Sequence, residues 1–164
     1  MNENQPLLIY LDTSVISAYF DERTPDRRDE TRRFWDFARG YKLVISRLVA
    51  SEIEDTPGDP KRNQMLDLVQ NLSYLPLSPM VDQVAVDFAS EGLVPAKKLD
   101  DARHLALAVV HGVNFLVSWN FKHMVNFRTI GKLPMLAAKN GYFKPLAIVT
   151  PEFFVNAMGQ EGNK

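Results

Sequence analysis

Four oxygen-bearing side chains, Asp12, Glu52, Asp101 and Asn120, sit where a strand gives way to a helix or where a helix opens. Asp12 stops the apolar run Leu7 to Leu11, and Thr13 and Ser14 follow as good helix starters. Glu52 lies in the helical run behind KLVIS, Asp101 opens LDDARHLALAVVHG, and Asn120 comes just after NFLVS. Oxygen ligands of this kind suit a hard divalent cation, Mg2+ or Mn2+, rather than zinc. The chain has no cysteine and only three histidines, which rules out thiol catalysis and argues against a histidine-rich zinc site. Without a metal, such carboxylates repel one another and their pKa values rise. With one or two cations, the pocket can hold a phosphodiester and activate a water for in-line attack. Taken by itself, Asp12 is better explained as a helix cap or an exposed turn residue.

The elements that must position them alternate. Leu7 to Leu11 is a short continuous apolar run, the pattern of a strand covered on both faces. Val15, Ile16, Tyr19 and Phe20 then recur at helical spacing. Further helices are expected over 30–38, 48–53, 62–72, 81–90 and 99–112, with another of uncertain start within 121–141. Strands are expected over 42–46, 114–118 and 146–149, with a strand or connector at 74–77. The alternation predicts a three-layer α/β/α fold, a central parallel sheet with helices on both faces. Asp12 and Asn120 then fall at the carboxyl edge of that sheet, where open α/β proteins bind ligands. One domain is expected over 1–155, with 156–164 as a disordered tail.

Composition sets the outer bounds. The 164 residues carry a net charge of -1, which excludes a broadly basic, nucleic-acid-coating surface. A local basic patch beside an acidic pocket remains open, because the two signs cancel in the sum. There is neither a secretory signal nor an apolar segment long enough for a membrane helix, so a cytoplasmic protein without membrane contact is expected.

At LDTSVIS (11–17), SRLVASEIE (46–54), DARHLALA (101–108) and LVSWNFKHM (116–124) the chain resembles the PIN domain family. Within that family it resembles the VapC-like ribonuclease toxins of toxin–antitoxin systems. IVTPEFF (148–154) also looks like the family's last strand and its exit. Each block is weakly specific alone; in this order, over nearly the whole chain, they are strong together. The resemblance implies a metal-dependent endoribonuclease directed at single strands. It carries the ligand roles onto Asp12, Glu52 and Asp101, with Asn120 at the fourth acidic position. It also implies an antitoxin partner and commonly a homodimer. The fourth position is usually Asp, and an amide there ligates without adding charge, which puts a second metal in question.

Several neighbours have two readings. Thr13 and Ser14 are plain helix-start residues or hydroxyls that position a metal-bound water. Asp100 suits a cap, leaving Asp101 to project into the pocket. Glu54, offset by two from Glu52, reads as solvated, and His104 as a hydrogen-bonded, half-buried histidine rather than a phosphate contact. Arg27 and Arg28 belong to a wet helix face or to one lip of an RNA groove, with Lys97, Lys98, Arg103 and Lys122 opposite. Trp119 is read as packed beneath the site, an exposed stacking ring being the alternative.

Rival functions meet specific obstacles. A phosphorelay receiver wants an acidic pair before its first helix, and only Asp12 is there. A haloacid-dehalogenase-type phosphatase wants a second Asp where Ser14 stands. The serious competitor is a non-catalytic PIN fold that binds RNA or protein, which Asn120 keeps open.

Overall fold

A computed structural model describes residues 5–162. Five strands, β1 (Leu8–Leu11), β2 (Lys42–Ser46), β3 (Ser73–Leu75), β4 (Phe115–Val117) and β5 (Ala147–Val149), form one sheet. Its order is β3-β2-β1-β4-β5, and every pairing is parallel. The helices are α1 (Thr13–Ala18), α2 (Pro25–Phe37), α3 (Arg47–Glu54), α4 (Asp59–Val69), α5 (Pro79–Ser90), α6 (Leu99–Val110), α7 (Phe127–Lys139) and α8 (Pro151–Glu161). This is the expected three-layer α/β/α architecture around a parallel sheet.

Three of the strands, β1, β2 and β5, stop at a residue that caps a helix. Asp12 accepts from the Ser14 amide and caps α1; Ser46 accepts from the Val49 amide and caps α3; Thr150 caps α8 in the same way. β1 lies between β2 and β4, and Ile9, Tyr10 and Leu11 are fully buried. The chain winds outward from β1 to β2 and β3, then returns to β1's other side for β4 and β5. The carboxyl ends of β1 and β4 therefore flank the point where the winding reverses, the usual place for a binding crevice.

Three elements differ from the sequence reading. α2 starts at Pro25 rather than Glu30, since proline at the first helical position loses no hydrogen bond. α7 runs through Gly131 and Pro134, held by the burial of Leu133, Leu136 and Ala137. α8 continues to Glu161, beyond Asn156 where a tail was expected. Phe154 anchors it, edge-on to Phe34 at 5.4 Å and to Phe115 at 5.0 Å. No described helix is long and apolar enough to cross a membrane.

Candidate active site

Asp12 is the buried centre of the crevice. Its side chain is 3% exposed, and no lysine or arginine pairs with it among the described residues. One carboxylate oxygen accepts from Ser14 Oγ at 2.5 Å, the other from Ser118 Oγ at 2.5 Å. Ser118 comes from the end of β4, so the two strands that flank the crevice meet through this carboxylate. Burial raises the Asp12 pKa above the ordinary value, against the opposing pull of His104 and the two serines.

Glu52 reaches the crevice from α3. Its Oε1 accepts from Thr13 Oγ1 at 2.9 Å and lies 2.6 Å from His104 Nε2. Asp101 arrives on α6, and its Oδ2 lies 2.6 Å from His123 Nδ1. Glu52 Oε2 and Asp101 Oδ1 accept no hydrogen bond from the described residues. His104, one turn beyond Asp101 on α6, is 3% exposed. Burial alone lowers its pKa, but the hydrogen bond and charge of Glu52, with Asp12 and Asp101 behind them, outweigh burial and raise it. Of the three carboxylates, Glu52 alone touches the ring; Asp12, at the cap of α1, and Asp101 act on it by charge across space.

Asn120 stands in the turn after β4. Its Oδ1 accepts from the His123 amide at 3.0 Å, and its carbonyl accepts from the amides of Met124 and Val125. The side-chain oxygen thus closes the turn that seats His123 and keeps one lone pair beyond that bond. Asp100 does not cap α6; it binds Arg103 at 2.7 Å. Thr13 and Ser14 each support a carboxylate, Glu52 and Asp12 respectively. Glu54 is exposed, and Trp119 is packed, its Nε1 donating to Thr31 Oγ1 at 2.8 Å.

The basic residues divide. Arg103 pairs with both Asp82 and Asp100, and Arg28 with Glu22 and Asp29, so these charges are already matched. Arg27 lies over the rings of Trp119, at 5.1 Å, and Phe121, at 5.7 Å. Lys97 and Lys98 are exposed and line a cleft of about 420 Å³ with Glu52, Asp100 and Asp101. Lys122 is exposed in the turn after β4.

A family model for the PIN domain matches residues 9–121, a span that contains every one of these carboxylates. The chain belongs to the PIN domain family. PIN domains are commonly nucleases that act on nucleic acid, and they generally use divalent metal ions. A search of curated proteins finds no match.

Whether this donor set fits such an ion is a question of chemistry and of aim. Among the described residues, no three Asp, Glu or His side chains are arranged to hold one ion together. Asp12 spends both oxygens on serines, and Glu52 and Asp101 each spend one on a histidine. The chemistry nevertheless fits. Asp12 is a buried carboxylate without a lysine or arginine partner among the described residues, a state that costs free energy until a cation offsets it. Glu52 and Asp101 each keep one oxygen without an intramolecular partner.

Ser118, His123 and Tyr10 escaped the sequence reading. Ser118 carried a usable signal, a hydroxyl at the end of a strand. His123 lies 22 residues from Asp101, and no periodicity links them.

Proposed function

We propose that this chain is an endoribonuclease dependent on Mg2+ or Mn2+, and the toxin of a toxin–antitoxin pair. The observation that carries the nuclease reading is a buried Asp12 at the carboxyl end of β1, with Glu52 bonded to the adjacent Thr13 and Asp101 lining the same cleft as Glu52. Asp12, Glu52 and Asp101 would hold the ion, with Asn120 closing the neighbouring turn. When bound, the cation lowers the pKa of a water and offsets charge on the phosphodiester. The protein's own work is to keep the carboxylates in place: Ser14 and Ser118 hold Asp12, Thr13 and His104 hold Glu52, and His123 holds Asp101. Lys97 and Lys98 supply phosphate contacts on one lip, and Lys122 and Arg27 extend the path on the other. Such contacts bind RNA without reading its sequence.

The toxin role is supported by the resemblance of the four sequence blocks to VapC-like enzymes. Under it, the partners are RNA, a cognate antitoxin and a second copy of the chain, all in the cytoplasm. The deciding experiment incubates purified protein with a mixed RNA pool in Mg2+, in Mn2+ and in EDTA. Internal cleavage that EDTA abolishes is expected; undiminished cleavage in EDTA would overturn metal dependence. RNA binding without cleavage in either metal would return the chain to the binding-module reading. Expression of the wild-type chain should arrest growth, and of the Asp12→Asn chain should not. Equal harmlessness at equal protein levels removes the toxin role and leaves the nuclease standing.

A further inference from the structure

Behind Glu52 runs a line of buried polar groups that the cleavage chemistry does not itself require. Ser46 Oγ lies 2.9 Å from Tyr10 OH, Tyr10 OH lies 2.7 Å from His104 Nδ1, and His104 Nε2 lies 2.6 Å from Glu52 Oε1. Tyr10 and Ser46 are fully buried and His104 nearly so. Unpaired, each of these groups would be costly in the core. Their donor and acceptor capacities satisfy all of them in either charge state of the ring. Ser46 Oγ accepts from the Val49 amide and keeps one hydrogen and one lone pair for Tyr10. On a neutral ring Ser46 donates to Tyr10 and Tyr10 to Nδ1; on a charged ring Nδ1–H donates to Tyr10 and Tyr10 to Ser46; in both, Nε2–H donates to Glu52. Nε2 carries a hydrogen in either charge state of the ring, so the last bond does not depend on titration.

We propose that Tyr10 and His104 are positioning residues, which pin Glu52 Oε1 and thereby aim Glu52 Oε2 at the ion. The proposal rests on the reading of Glu52 as a metal ligand. Geometry gives the relay a second task. His104 is one turn from Asp101 on α6, and Ser46 is the cap of α3, which carries Glu52. The line therefore ties α6 to α3 through β1, and sets the spacing between the two half-buried carboxylates. Outer-shell partners of this sort typically change metal affinity about 10–100-fold when removed.

The test is Mn2+ binding by the full chain, followed by electron paramagnetic resonance of free Mn2+. His104→Leu should weaken binding by roughly 10–100-fold. His104→Gln should keep most of the affinity, because its amide can donate from the place of Nε2–H. Tyr10→Phe, which removes one hydroxyl and decides the matter if His104→Leu does not fold, should weaken binding by less. In a Glu52→Gln background, His104→Leu should add no further loss. Wild-type affinity in either His104→Leu or Tyr10→Phe overturns the positioning role, as does a loss in His104→Gln equal to that in His104→Leu. If Glu52→Gln itself binds Mn2+ like the wild type, the metal-ligand reading falls and takes the relay with it.

Discussion

Asp12 concentrates the cost of this site in one residue. Its charge is held in the core by two serine hydroxyls and a backbone amide, with the His104 imidazole acting across space and no lysine or arginine paired with it among the described residues. Replacing it with Asn keeps the shape, since one serine can go on donating to the amide oxygen while the other turns to accept from the amide NH2. Asp12→Asn should abolish cleavage while the melting temperature in EDTA stays level or rises, because the buried charge is gone. Mg2+ should then raise the melting temperature of the wild type by binding linkage and leave the variant unmoved. Thermal scans of both proteins in EDTA and in Mg2+ check this. A variant that unfolds, or cuts RNA normally, would make Asp12 structural. Asp12, Glu52 and Asp101 were legible in the sequence as acidic residues near strand ends and helix starts. Their supports were not, because Tyr10, Ser118 and His123 act across gaps of 22 to 106 residues that only the folded chain closes.

The elements explain what could be read and what could not. Strand cores and the long α6 stand out by apolar periodicity, so the sheet and its alternation with helices were visible. Ends set by tertiary contact were not: α8 persists because Phe154 finds Phe34 and Phe115. α2 is joined to the end of β4 by the bond from Trp119 Nε1 to Thr31 Oγ1. Thr31→Val keeps the volume and leaves the indole N–H unpaired, at a cost of about 1–3 kcal/mol. The melting temperature should fall by roughly 2–4 °C per kcal/mol at this chain length; an unchanged value would show that the bond carries no stability. The turn that follows β4 gives a contrasting pair. Asn120→Asp keeps the acceptor for the His123 amide and adds a negative charge beside the carboxylates. It should lower the Mg2+ concentration needed for cleavage. Asn120→Ala removes the cap and loosens His123, and should harm less than Asp12→Ala. Cleavage rates against Mg2+ concentration decide; no change in Asn120→Asp would place the residue away from the ion.

Across the whole molecule, a net charge of -1 hides an uneven distribution. Most arginines near the crevice are spoken for: Arg103 bridges Asp82 and Asp100, and Arg28 bridges Glu22 and Asp29. An arginine held by two acids offers a phosphate little, because it must first give up its partners. Lys97 and Lys98 form no ion pair among the described residues and stand beside Glu52 and Asp101 in the same cleft. Their position also follows from the chain: they occupy the turn just before α6, so the helix that brings Asp101 brings these cations too. RNA affinity should therefore depend on the lysines rather than on Arg103, although sequence alone treats the three alike. For single strands, the logarithm of affinity falls with the logarithm of salt with a slope of about -0.7 per neutralised phosphate. Replacing both Lys97 and Lys98 with Ala should weaken binding and flatten that slope by about 1.4 if each meets one phosphate. Arg103→Ala should leave the slope where it is. The measurement is binding of an RNA oligonucleotide to Asp12→Asn protein, which does not cut it, over a range of KCl. A slope that flattens for Arg103→Ala and not for the lysine pair would move the RNA path off this lip.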